Sequence, residues 1–227
     1  MFLAILKKIL LLRQTFFKKT NINFYSQFGE DKILDEIIPK NAVNGFYVDV
    51  GCFHPKKHSN TYMLFCRGWS GINIDMEIDK INTFKLARPK DYNYLGAVSD
   101  KIEKVKIYRN QKYGVSSTIN PDVLNKKDII DTDYIETITL NSIINNSPFK
   151  NREIDLLNID TEGNDFKVLK SLDLEIYQPK IIIIETYQKQ IEEIIKSNIY
   201  LYLTKRQYVL KSWNIYSLIF VHKNSKY

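Results

Sequence analysis

The chain has 227 residues, 44% of them hydrophobic, which is enough for one sizeable core and leaves little room for a second independent domain. Its formal charge of +7 favours an acidic partner surface such as anionic lipid, nucleic acid or a charged glycan. Two cysteines, Cys52 and Cys66, exclude a disulfide framework, and without a C-x-x-C pair they exclude the common zinc motifs; a reducing, cytoplasmic setting is expected.

Residues Met1 to Lys19 are apolar, but Lys7-Lys8 interrupts them well before the roughly 20 residues needed to cross a bilayer. No small-residue cleavage site follows, so a signal peptide is not expected. On a helical wheel Phe2, Ile5, Leu6, Ile9, Phe16 and Phe17 share a face, and Lys7, Lys8, Gln14, Lys18 and Lys19 gather opposite, while Arg13, Ala4 and Leu11 break the pattern. Two readings stay open: an interfacial anchor or partner-docking helix at the inner membrane face, or a helix packed on its own domain. Residues 1–24 therefore read as an extension and 25–227 as the domain proper.

Ser26-Gln27-Phe28-Gly29-Glu30-Asp31 offers a capping serine and first-turn acids, and Ile33, Leu34, Ile37 and Ile38 form an apolar face that Pro39 ends. Gly45-Phe46-Tyr47-Val48-Asp49-Val50-Gly51 reads as the first strand of an open α/β sheet, with a ligand crevice at its carboxyl end. Asp49 offers an acceptor there, and Gly51, lacking a Cβ, lets a ligand approach the backbone. Ser59 to Arg67 reads as a helix that carries Cys66 into the core, and Trp69 to Asp75 as a second strand. Asp49 and Asp75 stand 26 residues apart, near the roughly 20 at which a second-strand acid meets a ribose hydroxyl. The glycines of a dinucleotide loop are missing, because Cys52, Phe53 and His54 follow Gly51. A nucleoside without phosphates fits better, and S-adenosylmethionine is the common one.

Ile78 to Arg88 is the next expected helix, and Tyr92 to Val98 a third strand ending at Ser99-Asp100. From Lys104 to Leu140 short β-like pieces, Val105 to Tyr108 and Thr137 to Leu140, enclose a polar stretch with Gly114-Val115-Ser116-Ser117-Thr118. That insert reads either as a substrate loop or as a surface hairpin. Glu153 to Ile159 is a strand, Asp165 to Tyr177 a helix, Pro179 to Glu185 the plainest buried strand, and Gln188 to Lys196 a helix. Tyr208 to Trp213 and Tyr216 to His222 should pair as a terminal antiparallel hairpin. The alternation predicts a doubly wound, mostly parallel α/β sheet with that hairpin at one edge and a small β insert.

Several of these stretches together resemble the FkbM family of S-adenosylmethionine-dependent methyltransferases. They are Ser26-Gln27-x-Gly29-Glu30-Asp31, Gly45 to Gly51, His54-Pro55-x-x-x-Ser59-Asn60-Thr61, Gly68-Trp69-x-Gly71-Ile72-Asn73-Ile74-Asp75, Arg88-Pro89-x-Asp91, Ala97-Val98-Ser99, Thr137-x-Thr139-Leu140, Ile159-Asp160-x-Glu162-Gly163 and Pro179-Lys180-Ile181-Ile182-x-Ile184-Glu185. Asp75-Met76 stands where the family usually has Glu-Pro, and Cys52 where it has alanine. Residues 1–19 lie outside the likeness. The resemblance implies a Rossmann-like class I methyltransferase fold, with Asp49 and Gly51 flanking the methionine end of the cofactor, Asp75 on the ribose, and Ala97, Val98 and Ser99 beside the adenine. It also implies a hydroxyl acceptor, often on a sugar of a polysaccharide or glycolipid.

A sugar hydroxyl needs a base within hydrogen-bond reach or a cation that lowers its pKa. Asp160 and Glu162, just past the fourth strand, are the first candidates, though acids also suit a helix N-terminus. His54 is the alternative base, or a loop-stiffening residue, with His58 less favoured; Glu185 either faces the crevice or caps the next helix. A divalent cation is the less favoured route, since no histidine or third carboxylate lies nearby in sequence, and no metal ligand is assigned. The lysines are dispersed and no nucleic-acid module is present, so a glycan ranks above nucleic acid as acceptor, and a non-catalytic adaptor is third.

Overall fold

The computed structural model describes residues 5, 6, 9, 24–109, 117–124 and 129–227. Of the amphipathic stretch, only Ile5, Leu6 and Ile9 are described, helical and exposed; the rest of that expectation, and Gly114 to Ser116 of the insert, lie outside the described residues.

In chain order the elements are α1 (Glu30–Ile37), β1 (Phe46–Val50), α2 (Tyr62–Cys66), β2 (Ser70–Asp75), α3 (Ile78–Ala87), β3 (Tyr92–Leu95), β4 (Ala97–Val98), β5 (Lys104–Arg109), β6 (Ser117–Thr118), β7 (Asp131–Ile138), α4 (Leu140–Asn145), β8 (Leu156–Ile159), α5 (Asp165–Lys170), α6 (Leu174–Tyr177), β9 (Ile181–Glu185), α7 (Ile191–Ile194), α8 (Asn198–Thr204), β10 (Tyr208–Asn214) and β11 (Ser217–His222). Seven strands form one sheet in the order β10-β11-β9-β8-β1-β2-β3. β1 pairs in parallel with both β2 and β8, so the strand order reverses at β1 and opens a crevice at its carboxyl end. The expected hairpin of β10 and β11 closes one edge, antiparallel to β9.

The sheet is apolar on both faces because its strands alternate between two helical layers. Phe46, Val48, Val50, Leu157, Ile159, Ile182 and Ile184 pack with Leu140, Ile143, Val168 and Leu169 on one side. Tyr47, Leu156, Ile181 and Ile183 pack with Leu34, Ile38 and Leu64 on the other.

Several boundaries differ from the sequence reading. The expected third strand breaks at Gly96: β3 stays in the main sheet, while β4 leaves it and pairs with β7 in a second sheet of order β4-β7-β5-β6. Leu140 begins a helix rather than ending a strand, because the Thr139 hydroxyl accepts from the Ser142 amide at 3.2 Å and caps α4. The helix expected to Tyr177 is two, since Asp173 caps a fresh start at Leu174. Only Leu64 of α2 is buried, so Cys66 is exposed and not a core residue; Cys52 is the buried one, packed with Ile81 and Phe84.

Candidate active site

Parallel pairing brings the tips of β1, β2, β8 and β9 to one rim. The Gly51 and Cys52 amides both donate to the Ile74 carbonyl, at 2.9 and 3.0 Å, and the Asp160 amide donates to Val50 at 2.9 Å. Gly51 sits at φ +83, and a Cβ there would lie 1.7 Å from the Asp160 carbonyl oxygen. The neighbouring strand tip thus requires a glycine here, and Gly51 also lines the crevice. Beyond these tips opens a crevice of about 300 Å³, within the range of small-molecule sites.

Gly51, Asp75, Ala97, Val98, Asp160 and Glu162 all line it. Asp75 is held by the Glu77 amide at 2.8 Å and Lys80 Nζ at 3.0 Å, which fix its carboxylate while leaving lone pairs for a hydroxyl donor. Burial raises its pKa, against the pull of Lys80. Met76, Ile74, Ala97 and Val98 supply an apolar wall beside it.

Asp160 and Glu185 stand side by side. Ile159 is in register with Ile184 across the parallel β8 and β9, so the next residue of each strand is the carboxyl at its tip. Asp160 is open to the crevice, whereas Glu185 Oε2 is buried and, among the described residues, has no hydrogen-bond partner. Both line the same space. The protein enclosing the base of the crevice, and then the negative charge of Asp165 and Glu162, push Asp160 up to about 8. Burial, and then Asp160, Asp165 and Glu162, push Glu185 up to about 10. The charge that Asp160 gains on ionising thus opposes ionisation of Glu185, which keeps its proton to higher pH.

The loop after β8 is braced on all sides. Glu162 and Gly163 adopt φ 52 and 90, and the Asp165 carboxylate accepts from the amides of Thr161 and Gly163 at 2.8 and 3.0 Å. Thr118 Oγ1 donates to the Glu162 carbonyl at 2.8 Å, Asn164 Nδ2 to Val98 at 2.8 Å, and the Tyr187 hydroxyl to Glu162 Oε2 at 3.0 Å. Ser117 and Ile119 of the insert form part of the wall. Among the described residues no three His, Cys, Asp or Glu side chains come together as a metal-ion site.

Three expected site residues do not line the crevice. Ser99 is buried, with its amide on the Ile138 carbonyl at 3.1 Å. His54 caps a turn: its Nδ1 accepts from the Lys56 and Lys57 amides, both at 3.0 Å, and burial, then the nearby cations, lower its pKa. His58 lines the crevice instead, at φ 52 and stacked on Phe53. Asp49, alternating to the Tyr47 face, accepts from Thr61 Oγ1 and Asn158 Nδ2, each at 2.8 Å. It reaches the crevice only through Asn158 and Asn60, whose Nδ2 donates to Asn158 Oδ1 at 2.8 Å.

Behind Asp49 lies a buried network centred on Arg88, which is 1% exposed. Its guanidinium donates to the Tyr47 hydroxyl at 3.1 Å, Thr61 Oγ1 at 2.9 Å, Ser59 Oγ at 3.2 Å and the Pro55 carbonyl. Tyr47 donates onward to Asp91, which also accepts from the Gly71 amide and Asn73. The loop from Phe53 to Thr61 is therefore pinned from beneath by side chains scattered over the chain.

The sequence reading missed the opposite wall. Gln27, Phe28 and Glu30 line the crevice, with Asn214 Nδ2 donating to the Phe28 carbonyl at 2.7 Å and Ser217 Oγ to Glu30 Oε1 at 3.1 Å. The Ser26-to-Asp31 motif carried the signal, but an expected capping role for the serine accounted for it locally; the N-cap is instead Gly29, with no side-chain cap bond, and Ser26 Oγ donates to Asp31 Oδ1 at 2.8 Å.

A doubly wound sheet whose order reverses at β1, with a crevice at the carboxyl ends of its strands, is of the Rossmann-like α/β class. The chain belongs to the FkbM methyltransferase domain family, which matches residues 49–210, and is thus of a family that takes its methyl group from S-adenosylmethionine. Among solved structures it is similar to a TehB-like S-adenosylmethionine-dependent methyltransferase from Corynebacterium glutamicum, at 11% identity over 97% of this chain and 99% of that one, with a TM-score of 0.43. No curated protein matches it by sequence.

Proposed function

We propose that the chain is an O-methyltransferase acting on a sugar hydroxyl, with Asp160 as the general base. The observation that carries this reading is the pair of carboxyls, Asp160 and Glu185, on adjacent strand tips facing one crevice with Asp75. The cofactor supplies a methyl on a sulfonium, whose S–C bond breaks as the new O–C bond forms. Asp75 would hold the ribose hydroxyls, Ile74, Met76, Ala97 and Val98 the adenine, and the Gly51 backbone the methionine portion. Asp160 takes the hydroxyl proton as the oxygen attacks; a base poised near 8 suits a weakly acidic alcohol. Glu185, which keeps its proton to higher pH, leaves Asp160 as the carboxyl that ionises and acts as base, and Tyr187 fixes Glu162 beside them. In this reading Asp49 positions Asn158 and Asn60 rather than touching the cofactor.

Two features support a carbohydrate acceptor over a nucleic acid. Tyr187 and Tyr216, both about half exposed, stand at the crevice with Phe28 and offer flat apolar faces with polar edges. The acids lining the crevice repel a polyphosphate chain. The test is labelled methyl transfer to polysaccharide, lipid-linked glycan and RNA fractions, with Asp160→Asn alongside. A glycan should accept the label, and the variant should lose about 10²–10⁴-fold in rate with cofactor affinity nearly unchanged. Full activity of a folded Asp160→Asn would remove the base from this account, and transfer to RNA alone would overturn the acceptor.

A further inference from the structure

The net charge of the chain is unevenly placed. Of the seven excess positive charges, five come from Lys7, Lys8, Arg13, Lys18 and Lys19, and no acid occurs before Glu30. The domain proper is therefore close to neutral, and the cation excess belongs to the extension. Within that extension Ile5, Leu6 and Ile9 are helical and exposed at 52%, 47% and 55%. Among the described residues no helix is long and apolar enough to cross a membrane.

The extension also leads directly into the site. Gln27 and Phe28 line the crevice, and Phe28 packs against Tyr216 with ring centroids 5.6 Å apart. Lys19 precedes Gln27 by eight residues, a span of at most about 28 Å for an extended chain. Whatever holds the first 19 residues thus holds the crevice wall within that distance of itself.

We propose that residues 1–19 dock the enzyme on an anionic bilayer surface, and that the acceptor is a glycan carried on a lipid of that surface. This rests on the methyltransferase reading for its second half only. Apolar side chains enter the headgroup boundary while the cations meet the acidic lipids, and each cation near such a surface strengthens binding roughly fivefold. A neutral bilayer offers the apolar half alone and holds the chain weakly. Tethering then raises the concentration of acceptor at the crevice, so a membrane-borne sugar outcompetes the same sugar free in solution.

The test is flotation of the full chain with phosphatidylcholine vesicles, with and without about one third phosphatidylglycerol, at low salt and at about 1 M salt, where the screening length falls to about 3 Å. The chain should float with the anionic vesicles, bind neutral ones at least tenfold less, and come off in high salt. The double change Lys7→Glu and Lys8→Glu should weaken binding well over tenfold while the thermal transition of the domain stays in place. No flotation, or equal binding to neutral and anionic vesicles, overturns the docking, and so does a double variant that binds like the native chain. Flotation requires no methyl transfer, so its outcome is separate from that of the catalytic reading. With label supplied, a lipid-linked glycan fraction in the vesicles should be methylated at least tenfold faster than the same glycan after delipidation, and the double variant should abolish the difference. Equal rates overturn the lipid-borne acceptor.

Discussion

Replacing Glu185 by glutamine should make the protein more stable at alkaline pH. The register Ile159 to Ile184 sets Glu185 beside Asp160, and Asp165 and Glu162 add to the negative surroundings. Burial first, then those charges, raise Glu185 from 4.5 to about 10. A carboxyl whose folded pKa lies above its unfolded value stabilises the fold fully below the unfolded pKa, and that contribution is lost as pH rises through the folded one. The native enzyme should therefore lose stability between about pH 4.5 and pH 10, and glutamine, with no proton to lose, should not. Water in the open crevice screens much of the shift; if about one unit survives, the difference is about 1–2 kcal/mol. For a chain of this length that is about 2–8 °C in Tm. Calorimetry at pH 8.5 should show the gain, and at pH 4.5 it should vanish. Glu185 keeps its proton to higher pH than Asp160 and so carries no charge while Asp160 ionises, and the alkaline rise of the pH–rate profile should stay in place. An unchanged or lower Tm at pH 8.5, or a profile that moves by about one unit or more, would refute this order of ionisation.

Arg88→Met should destabilise the domain by about 3–5 kcal/mol, because it strips the donors from Thr61, Ser59 and the Pro55 carbonyl and leaves the Asp49 and Asp91 acids without their buried counter-charge; urea unfolding measures it, and a loss under 1 kcal/mol would mean the network is not what pins the loop. Gly51→Ala should abolish S-adenosylmethionine binding in a calorimetric titration, since its Cβ meets the Asp160 carbonyl and the left-handed φ alone costs about 1–2 kcal/mol; native affinity would show that the strand tips can separate without damage to the crevice.

Periodicity made the sheet legible because each strand repeats one message. Phe46, Val48 and Val50 point to one layer and Tyr47 to the other, and the same holds for the isoleucines of β9, so strand existence and order of elements survive small errors at the ends. The boundaries were lost where a side chain competes with the ladder. Thr139 turns from strand to cap and Asp173 starts a new helix through local bonds, and the two starts are tied together by Ser171, which takes the Leu140 amide at 3.0 Å, and Asn141, which takes the Asp173 amide at 2.9 Å, from segments 31 and 32 residues apart. α2 misled for a different reason. It is a helix of five residues with only Leu64 buried, too short for its apolar letters to define a face, so Cys66 read as core and lies at the surface.

The site was legible at strand tips and illegible between them. A carboxylate at a strand end is recognisable from its own segment, which is why Asp75 and Asp160 line the crevice as expected. Whether such a residue points at the ligand or at the layer behind depends on parity along the strand, and Asp49 falls on the Tyr47 side. There it meets Thr61, 12 residues on, and Asn158, 109 residues on, while Arg88 gathers Tyr47, Pro55, Ser59 and Thr61. Several of the polar motif letters of the first half of the domain are therefore accounted for by one buried network, in which each further orphaned group would cost about 1–3 kcal/mol; Arg88 Nε and Asn73 Oδ1 already lack a hydrogen-bond partner among the described residues. Such a network holds its residue types as tightly as a ligand would, so motif strength by itself does not separate groups that touch the cofactor from groups that hold the loop beneath it. Glu185 makes the converse case. It stood at the end of the plainest strand with facing the crevice or capping the next helix as open readings; the residue lines the crevice, and its buried Oε2 has no hydrogen-bond partner among the described residues, which only the packed structure reveals.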